Sequence, residues 1–253
     1  MITRRRGAAA LVLAAVLTRA GTVVLRATAP GGRGRWLRTN HAGRVVDLYA
    51  GPAGVLGAAA GAARTHPAAA FAVLAAGACG AHDDVAGDAR RGFRAHLTAL
   101  RDGEVTSGAV KLFGISAAGL AAGAALKRRW PDKVLAGVVI AGTAHFVNLV
   151  DVRPGRAAAA VLALGIPGLL RAGPGAELAA AAVGAAAAVL PEDAAGRAML
   201  GDAGAHGLGA AVGAAAVVSH GRAGLLAHAV GVVLAAWGGE WVSGFARWGA
   251  GRG

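Results

Sequence analysis

The sequence predicts an all-α fold: one polytopic integral membrane helical bundle over residues 1–253, with about nine transmembrane helices. Three observations predict it. The chain is 56% hydrophobic and only 15% charged, with a mean hydropathy of +0.55, too apolar for an ordinary soluble domain. Apolar runs recur along its whole length, separated by short polar loops. Trp36, Trp130, Trp237, Trp241 and Trp248 lie near the ends of those runs, where interfacial anchors belong.

The elements follow in order. The start, MITRRRGAAALVLAAVL, joins a basic stretch to an apolar one, as a signal peptide does. More apolar runs follow it, so 7–25 is read as the first spanning helix, with cleavage near Ala27, Thr28 and Ala29 as the alternative. The later runs are 51–63, 68–81, 108–126, 134–150, 157–170, 178–190, 207–219 and 223–239. Several fall short of the roughly 20 residues that a hydrocarbon core of about 30 Å requires. Flanking Gly, Ala, Ser and Thr extend them, or the bilayer thins locally. Spacings of small residues, as in GAAAGAA (57–63), let helices approach closely in lipid. The single Cys79 lies inside an apolar run, so there is no disulfide framework.

Nine crossings put loops 31–50, 82–107, 151–156 and 191–206 and the tail 240–253 on one side, the expected active face. Of the 13 acidic residues, only Asp132 and Glu177 fall elsewhere. The net charge is +13, but the cations sit in loops between apolar runs and form no recognition-helix pattern. That composition argues against nucleic acid and for membrane lipid headgroups and phosphorylated substrates as partners. The count of Lys and Arg favours a cytoplasmic active face by a narrow margin, while Arg4-Arg5-Arg6 and Lys127-Arg128-Arg129 argue the other way.

Three acidic motifs sit where apolar runs meet polar loops. In HDDVAGD (82–88), the adjacent Asp83 and Asp84 repel each other and call for a cation or a proton. The bland alternative is an acidic helix end among headgroups. Arg90, Arg91, Arg94 and Arg101 follow with the spacing of a basic interfacial helix, or of a solvated one. Lys111 lies about a turn inside the fourth run, where it either snorkels or neutralises a phosphate or the Asp pair. His145, Asn148 and Asp151 form a polar stripe ending the fifth run, with Arg153 and Arg156 next, suited to phosphate. A helix–helix hydrogen bond is the plain alternative for the stripe, and a packing role for His145. Asp202 lies in MLGDAGAHGLG (199–209), read as a loop whose glycines let backbone approach a ligand or metal, or else as a flexible connector. Separated Asp sites on one face suggest a divalent-cation site for a phosphorylated substrate.

In order and spacing, Asp83-Asp84, Lys111, HFVNLVDVRPG (145–155) and GDAGA (201–205) resemble the polyprenyl-phosphate phospho-aminosugar transferase family. The resemblance covers residues 82 to about 213, and RTNHAGRVVDLYAGPAG (38–54), with Arg44, is similar to the family's first cytoplasmic loop. It implies a multi-pass cell-membrane enzyme with a cytoplasmic site and Mg²⁺. Such an enzyme transfers a sugar 1-phosphate from a UDP-sugar to a polyprenyl (undecaprenyl) phosphate and releases UMP. Carried over, Asp83, Asp84 and Lys111 are expected to be catalytic, and Asp202 with Asp84 to hold the metal. Asn148, Asp151, Arg153, Arg156 and Arg44 are expected at the substrates, and a second copy of the chain, as a homodimer, is a candidate partner. Several features depart from the family pattern: His145 replaces its first Asn, Pro154 its uracil-reading Asp and Ala205 its Ser, its His-rich loop has no counterpart, one terminal spanning helix is missing, and the chain is short for the family. Two other classes stay open. One is a catalytically inactive paralogue that binds lipid phosphate or scaffolds envelope synthesis. The other is a transporter with Asp, Asn and Lys along an ion path.

Overall fold

The computed structural model describes residues 2–87, 98, 99 and 101–248. Each of the nine apolar runs forms a helix, with 157–170 and 223–239 overrunning theirs by one and two residues: α1 (Ile2–Thr28), α2 (Ala50–Ala63), α3 (Pro67–Ala86), α4 (Ser107–Leu126), α5 (Trp130–Val150), α6 (Arg156–Leu169), α7 (Pro174–Ala194), α8 (Gly201–Ser219) and α9 (Arg222–Trp237). A short α10 (Gly239–Trp248) follows. The fold is therefore nearly all-α. Four helices are long and apolar enough to cross a membrane, namely α1 (from Arg5), α4, α5 and α7, fewer than the nine expected. The helices α2, α6 and α9 are apolar but have only 14, 14 and 16 residues.

Local chemistry sets the helix ends. Pro67 and Pro174 open α3 and α7, where a missing N–H costs nothing. Thr106 caps α4, its hydroxyl accepting from the Ala109 amide at 3.1 Å. Gly155 turns the chain between α5 and α6 with φ +79°, a left-handed backbone that favours glycine. The connections from α2 to α3 and from α4 onward to α9 are only two to six residues long, so those neighbours run antiparallel between two ends of the bundle, whereas α1 and α2 are joined by the longer stretch 29–49.

At the centre lies α8, packed against α2, α3, α5 and α7. Nearly every residue from Gly201 to Val217 is buried. The expected loop at 199–209 is thus corrected: from Gly201 onward it is helix, and its glycines serve contact between helices. A Cβ on Gly209 would lie 2.7 Å from Ala144 Cα, and one on Gly204 2.8 Å from Gly51 Cα. The expected loop 191–206 likewise begins late, because α7 continues through Pro191 to Ala194.

Apolar side chains also cover the outside. Val12, Val16, Phe71, Phe113, Leu164, Ile166, Val230 and Leu234 are all exposed. Such a continuous apolar exterior is foreign to soluble monomers and compatible with a membrane protein.

The loop 31–50 holds the one sheet among the described residues, an antiparallel hairpin of β1 (Leu37–Thr39) and β2 (Val45–Asp47). An ion-pair network ties it down. Arg26 on α1 donates to Asp47 at 2.9 Å and to Glu192 on α7 at 2.7 Å, and Arg19 donates to Glu192 at 3.1 Å. Arg19 within the first apolar run and Arg26 just past it thereby clamp the hairpin over one end of the bundle.

Candidate functional site

That end gathers the polar residues of four helices. Asp83 and Asp84 occupy the last turn of α3, Lys111 the second turn of α4, Asn148 the last turn of α5 and Asp202 the first turn of α8. Successive helical residues point about 100° apart, so the adjacent carboxylates face different neighbours. Asp84 turns to α8, where its two oxygens accept the backbone amides of Asp202 and Ala203, both at 2.9 Å. These amides have no partner within their own helix, and a carboxylate suits that positive end. Gly201, with φ +64°, makes the turn directly beneath the Asp84 carboxylate.

Asp83 turns to α4. Lys111 Nζ donates to Asp83 Oδ2 at 2.6 Å and also to Asp202 Oδ2. Asn148 Nδ2 donates to the other Asp202 oxygen at 2.8 Å. The side chains of Lys111, Asp83 and Asp202 are 19%, 20% and 26% exposed, largely desolvated yet still reachable. Three carboxylates thus share one ammonium and one helix end, an excess of negative charge that calls for a proton or a further cation.

Beneath Asp202 lie two histidines. His206 Nδ1 is 2.8 Å from the Asp202 carbonyl one turn back. A carbonyl only accepts, so Nδ1 carries the proton and Nε2 is a bare acceptor. His145 meets His206 edge-on, with ring centroids 5.3 Å apart. The Nε2 atoms of both rings are buried without a hydrogen-bond partner. The polar stripe on α5 therefore divides: Asn148 reaches Asp202, and His145 packs on His206.

Asp151, the C-cap of α5, lies beside the cluster. Burial first, then the charges of Asp193, Asp202 and Asp84, hold its carboxyl well above the usual range. It lines a cavity of ≈ 130 Å³ with Asn40, His41, Arg153, Pro154 and Asp193. Arg153 is thus at the cavity, and Arg156 begins α6 half-buried. Arg44 is exposed and donates to the Ala195 carbonyl at 3.1 Å, which fastens the hairpin to the 195–200 connection. Asp88, Arg90, Arg91 and Arg94 lie outside the described residues.

Sequence reasoning missed Asp193 and the partnership of His206. Asp193 is 2% exposed and accepts the Gly155 amide at 2.9 Å and the Leu200 amide at 3.3 Å. It holds together the two loops that flank the cluster. The signal was an Asp two residues after Pro191, at a run's end like Asp83, but Pro191 had ended the expected helix too early.

Two carboxylates are the donors available to a cation in the cluster. Asp83 and Asp202 direct oxygens at one shared point, which the Lys111 ammonium occupies. Among the described residues no group of three or more His, Cys, Asp or Glu could hold a metal. Mg²⁺ asks for less, one or two carboxylates with water and phosphate oxygens completing its shell. Asp84, expected among the ligands, gives both oxygens to the α8 amides, so Asp83 is better disposed than Asp84 to join Asp202. In comparisons with known proteins, the chain matches no family model, no curated protein and no solved structure.

A second, apolar groove opens beside the cluster. It measures ≈ 570 Å³ and is lined by Leu112, Val138, His145, Phe146, Leu149 and Val232 among others. His145 lines the groove and packs edge-on against His206, so the groove between α4, α5 and α9 runs beside the cluster.

Proposed function

We propose that this chain is a multi-pass membrane enzyme that transfers a sugar 1-phosphate from a UDP-sugar to a polyprenyl phosphate, releasing UMP, at the cytoplasmic end of about nine crossings. The observation that carries the reading is the meeting of Asp83, Lys111, Asn148 and Asp202, from four helices, beside an apolar groove. A prenyl chain suits the groove, with its phosphate at Lys111. The cavity at Asp151 and Arg153 suits the donor.

The chemistry is an in-line phosphoryl transfer. An oxygen of the lipid phosphate bonds to the sugar-bearing phosphorus of the donor as the bond from that phosphorus to UMP breaks. Such a reaction needs alignment and charge neutralisation more than a covalent apparatus. Asp202 and Asp83 would hold Mg²⁺, which when bound supplies positive charge to the diphosphate oxygens. Lys111 exchanges its carboxylate partners for a phosphate oxygen, Asn148 fixes the rotamer of Asp202, and Asp84 holds the α8 terminus that carries Asp202.

A second reading is an inactive paralogue that binds lipid phosphate. It is favoured by Lys111, which already bridges both carboxylates, and by Pro154 at the donor cavity. The test is UMP release by the purified protein from a panel of UDP-aminosugars, with undecaprenyl phosphate and Mg²⁺. Release that is lost on chelation and falls at least about a hundredfold in Asp202→Asn supports the enzyme. Binding of the lipid without release from any donor supports the paralogue, and normal turnover in Asp202→Asn sinks the mechanism.

A further inference from the structure

The opposite end of the bundle holds a cleft of ≈ 450 Å³ between α1, α2 and α7, lined by Arg6, Ala10, Arg64, Thr65 and Glu177. Arg6 lies in the first turns of α1, Arg64 is the C-cap of α2 and Glu177 belongs to the first turn of α7. All three are at helix ends remote from Asp83 and Asp202. We propose that this cleft binds the phosphate of an anionic bilayer lipid headgroup.

The charge arrangement favours the cleft, where two guanidiniums line one cavity. Three other cations described at this end are satisfied from within. Arg222 pairs with Asp132 at 2.6 Å, Lys127 donates to the His220 carbonyl at 2.9 Å and Arg171 to the Ser219 carbonyl at 3.2 Å. Arg6 and Arg64 are exposed and form no ion pair among the described residues. The one acid in the cleft, Glu177, accepts the Thr65 hydroxyl at 3.0 Å on one of its oxygens. Two guanidinium forks against one carboxylate leave a net positive cleft with the geometry that phosphate oxygens match.

The apolar surroundings favour a lipid over a free ion. The cleft sits at the mouth of α1, whose apolar stretch is only 22% buried. Ala10, 3% exposed, forms an apolar floor. A headgroup lodged between the guanidiniums would lay its acyl chains along that uncovered helix. The inference stands apart from the proposed reaction, because no residue of the Asp83–Asp202 cluster takes part.

Native mass spectrometry of the purified full chain, titrated with phosphatidylglycerol or with phosphatidylcholine, tests it. The expected result is a preference for phosphatidylglycerol that drops about fivefold for each guanidinium removed in Arg6→Ala and Arg64→Ala. Glu177→Gln, which keeps an acceptor for Thr65 but loses the charge, should strengthen the binding. That gain cannot come from misfolding. The control is Arg128→Ala, an exposed cation outside the cleft. No preference for phosphatidylglycerol, an equal loss in Arg128→Ala, or full displacement by millimolar inorganic phosphate would each overturn the lipid assignment.

Discussion

Asp83 and Asp84 are chemically identical neighbours with different surroundings. Asp84 accepts two backbone amides of α8, whereas Asp83 meets Lys111. Their sequence context marks both as costly and neither as structural, because facing depends on which helix packs on which side. Asp84→Asn turns an amide N–H₂ toward two N–H donors. It should cost about 1–3 kcal/mol of stability and lower the melting temperature more than Asp83→Asn does. Lys111→Met leaves Asp83 and Asp202 without their counter-charge in a desolvated site, a loss of about 3–5 kcal/mol for a buried pair, to be discounted for their partial exposure. Added Mg²⁺ should raise the melting temperature of Lys111→Met more than that of the wild type, because no ammonium then occupies the shared point. An unchanged response to Mg²⁺ would argue against a cation site between those carboxylates. Asp151 gives a pH signature. Its carboxyl titrates well above the usual range in the fold and near 3.9 when unfolded, about the ordinary value. Between those values the unfolded chain binds fewer protons, so stability falls as pH rises. Asp151→Asn should melt with the wild type at pH 4 and later than it at pH 7.5, by about 2–4 °C for each kcal/mol relieved.

At the scale of helices, composition made existence legible and left boundaries and depth illegible. All nine apolar runs are helical, since a run of Ala, Val, Leu and Gly packed among others has no competing structure. The stretch 199–209 misled because glycine in isolation signals a loop, whereas here it marks contact. Gly80 on α3 illustrates this: its Cβ position falls against the Asp202 backbone, 2.6 Å from the Ala203 nitrogen. The missing side chain lets α3 and α8 approach until Asp84 reaches the α8 amides. Gly80→Ala must part the two helices, at a cost of about 1–3 kcal/mol. UMP release should fall by far more than the stability loss explains, because the carboxylates move apart with the helices. A variant with full activity and a lowered melting temperature would show that the contact serves packing alone. Asp193 is the other element-scale device, a buried anchor between the turns that follow α5 and α7. No periodicity predicts it, because its partners are backbone amides of two different turns, at Gly155 and Leu200.

The whole molecule is polarised. One end carries the Asp83–Asp202 cluster and the clamped hairpin, and the other carries only Asp132 and Glu177 as acids. Polarity of this kind requires the helices between the ends to be threaded alternately, and the central α8 is the critical case. It is not among the four helices apolar enough to cross on composition, yet its 19 residues span roughly 28 Å, close to a hydrocarbon core. Its hydropathy is modest because its surroundings are α2, α3, α5 and α7 rather than lipid, so glycine and histidine carry no desolvation cost beyond that of a protein core. The helix crosses if its two ends face opposite compartments. Single cysteines at His41 and Arg197 on the cluster end, and at Arg128 and Gly221 on the other, probe this in a Cys79→Ala background. His41, Arg197, Arg128 and Gly221 are all exposed. In sealed vesicles a membrane-impermeant maleimide should label one pair only, and the other pair after permeabilisation. Labelling of Arg197→Cys and Gly221→Cys from the same side would mean that α8 does not traverse the bilayer. The cluster would then not be assembled from alternately threaded helices at one membrane boundary.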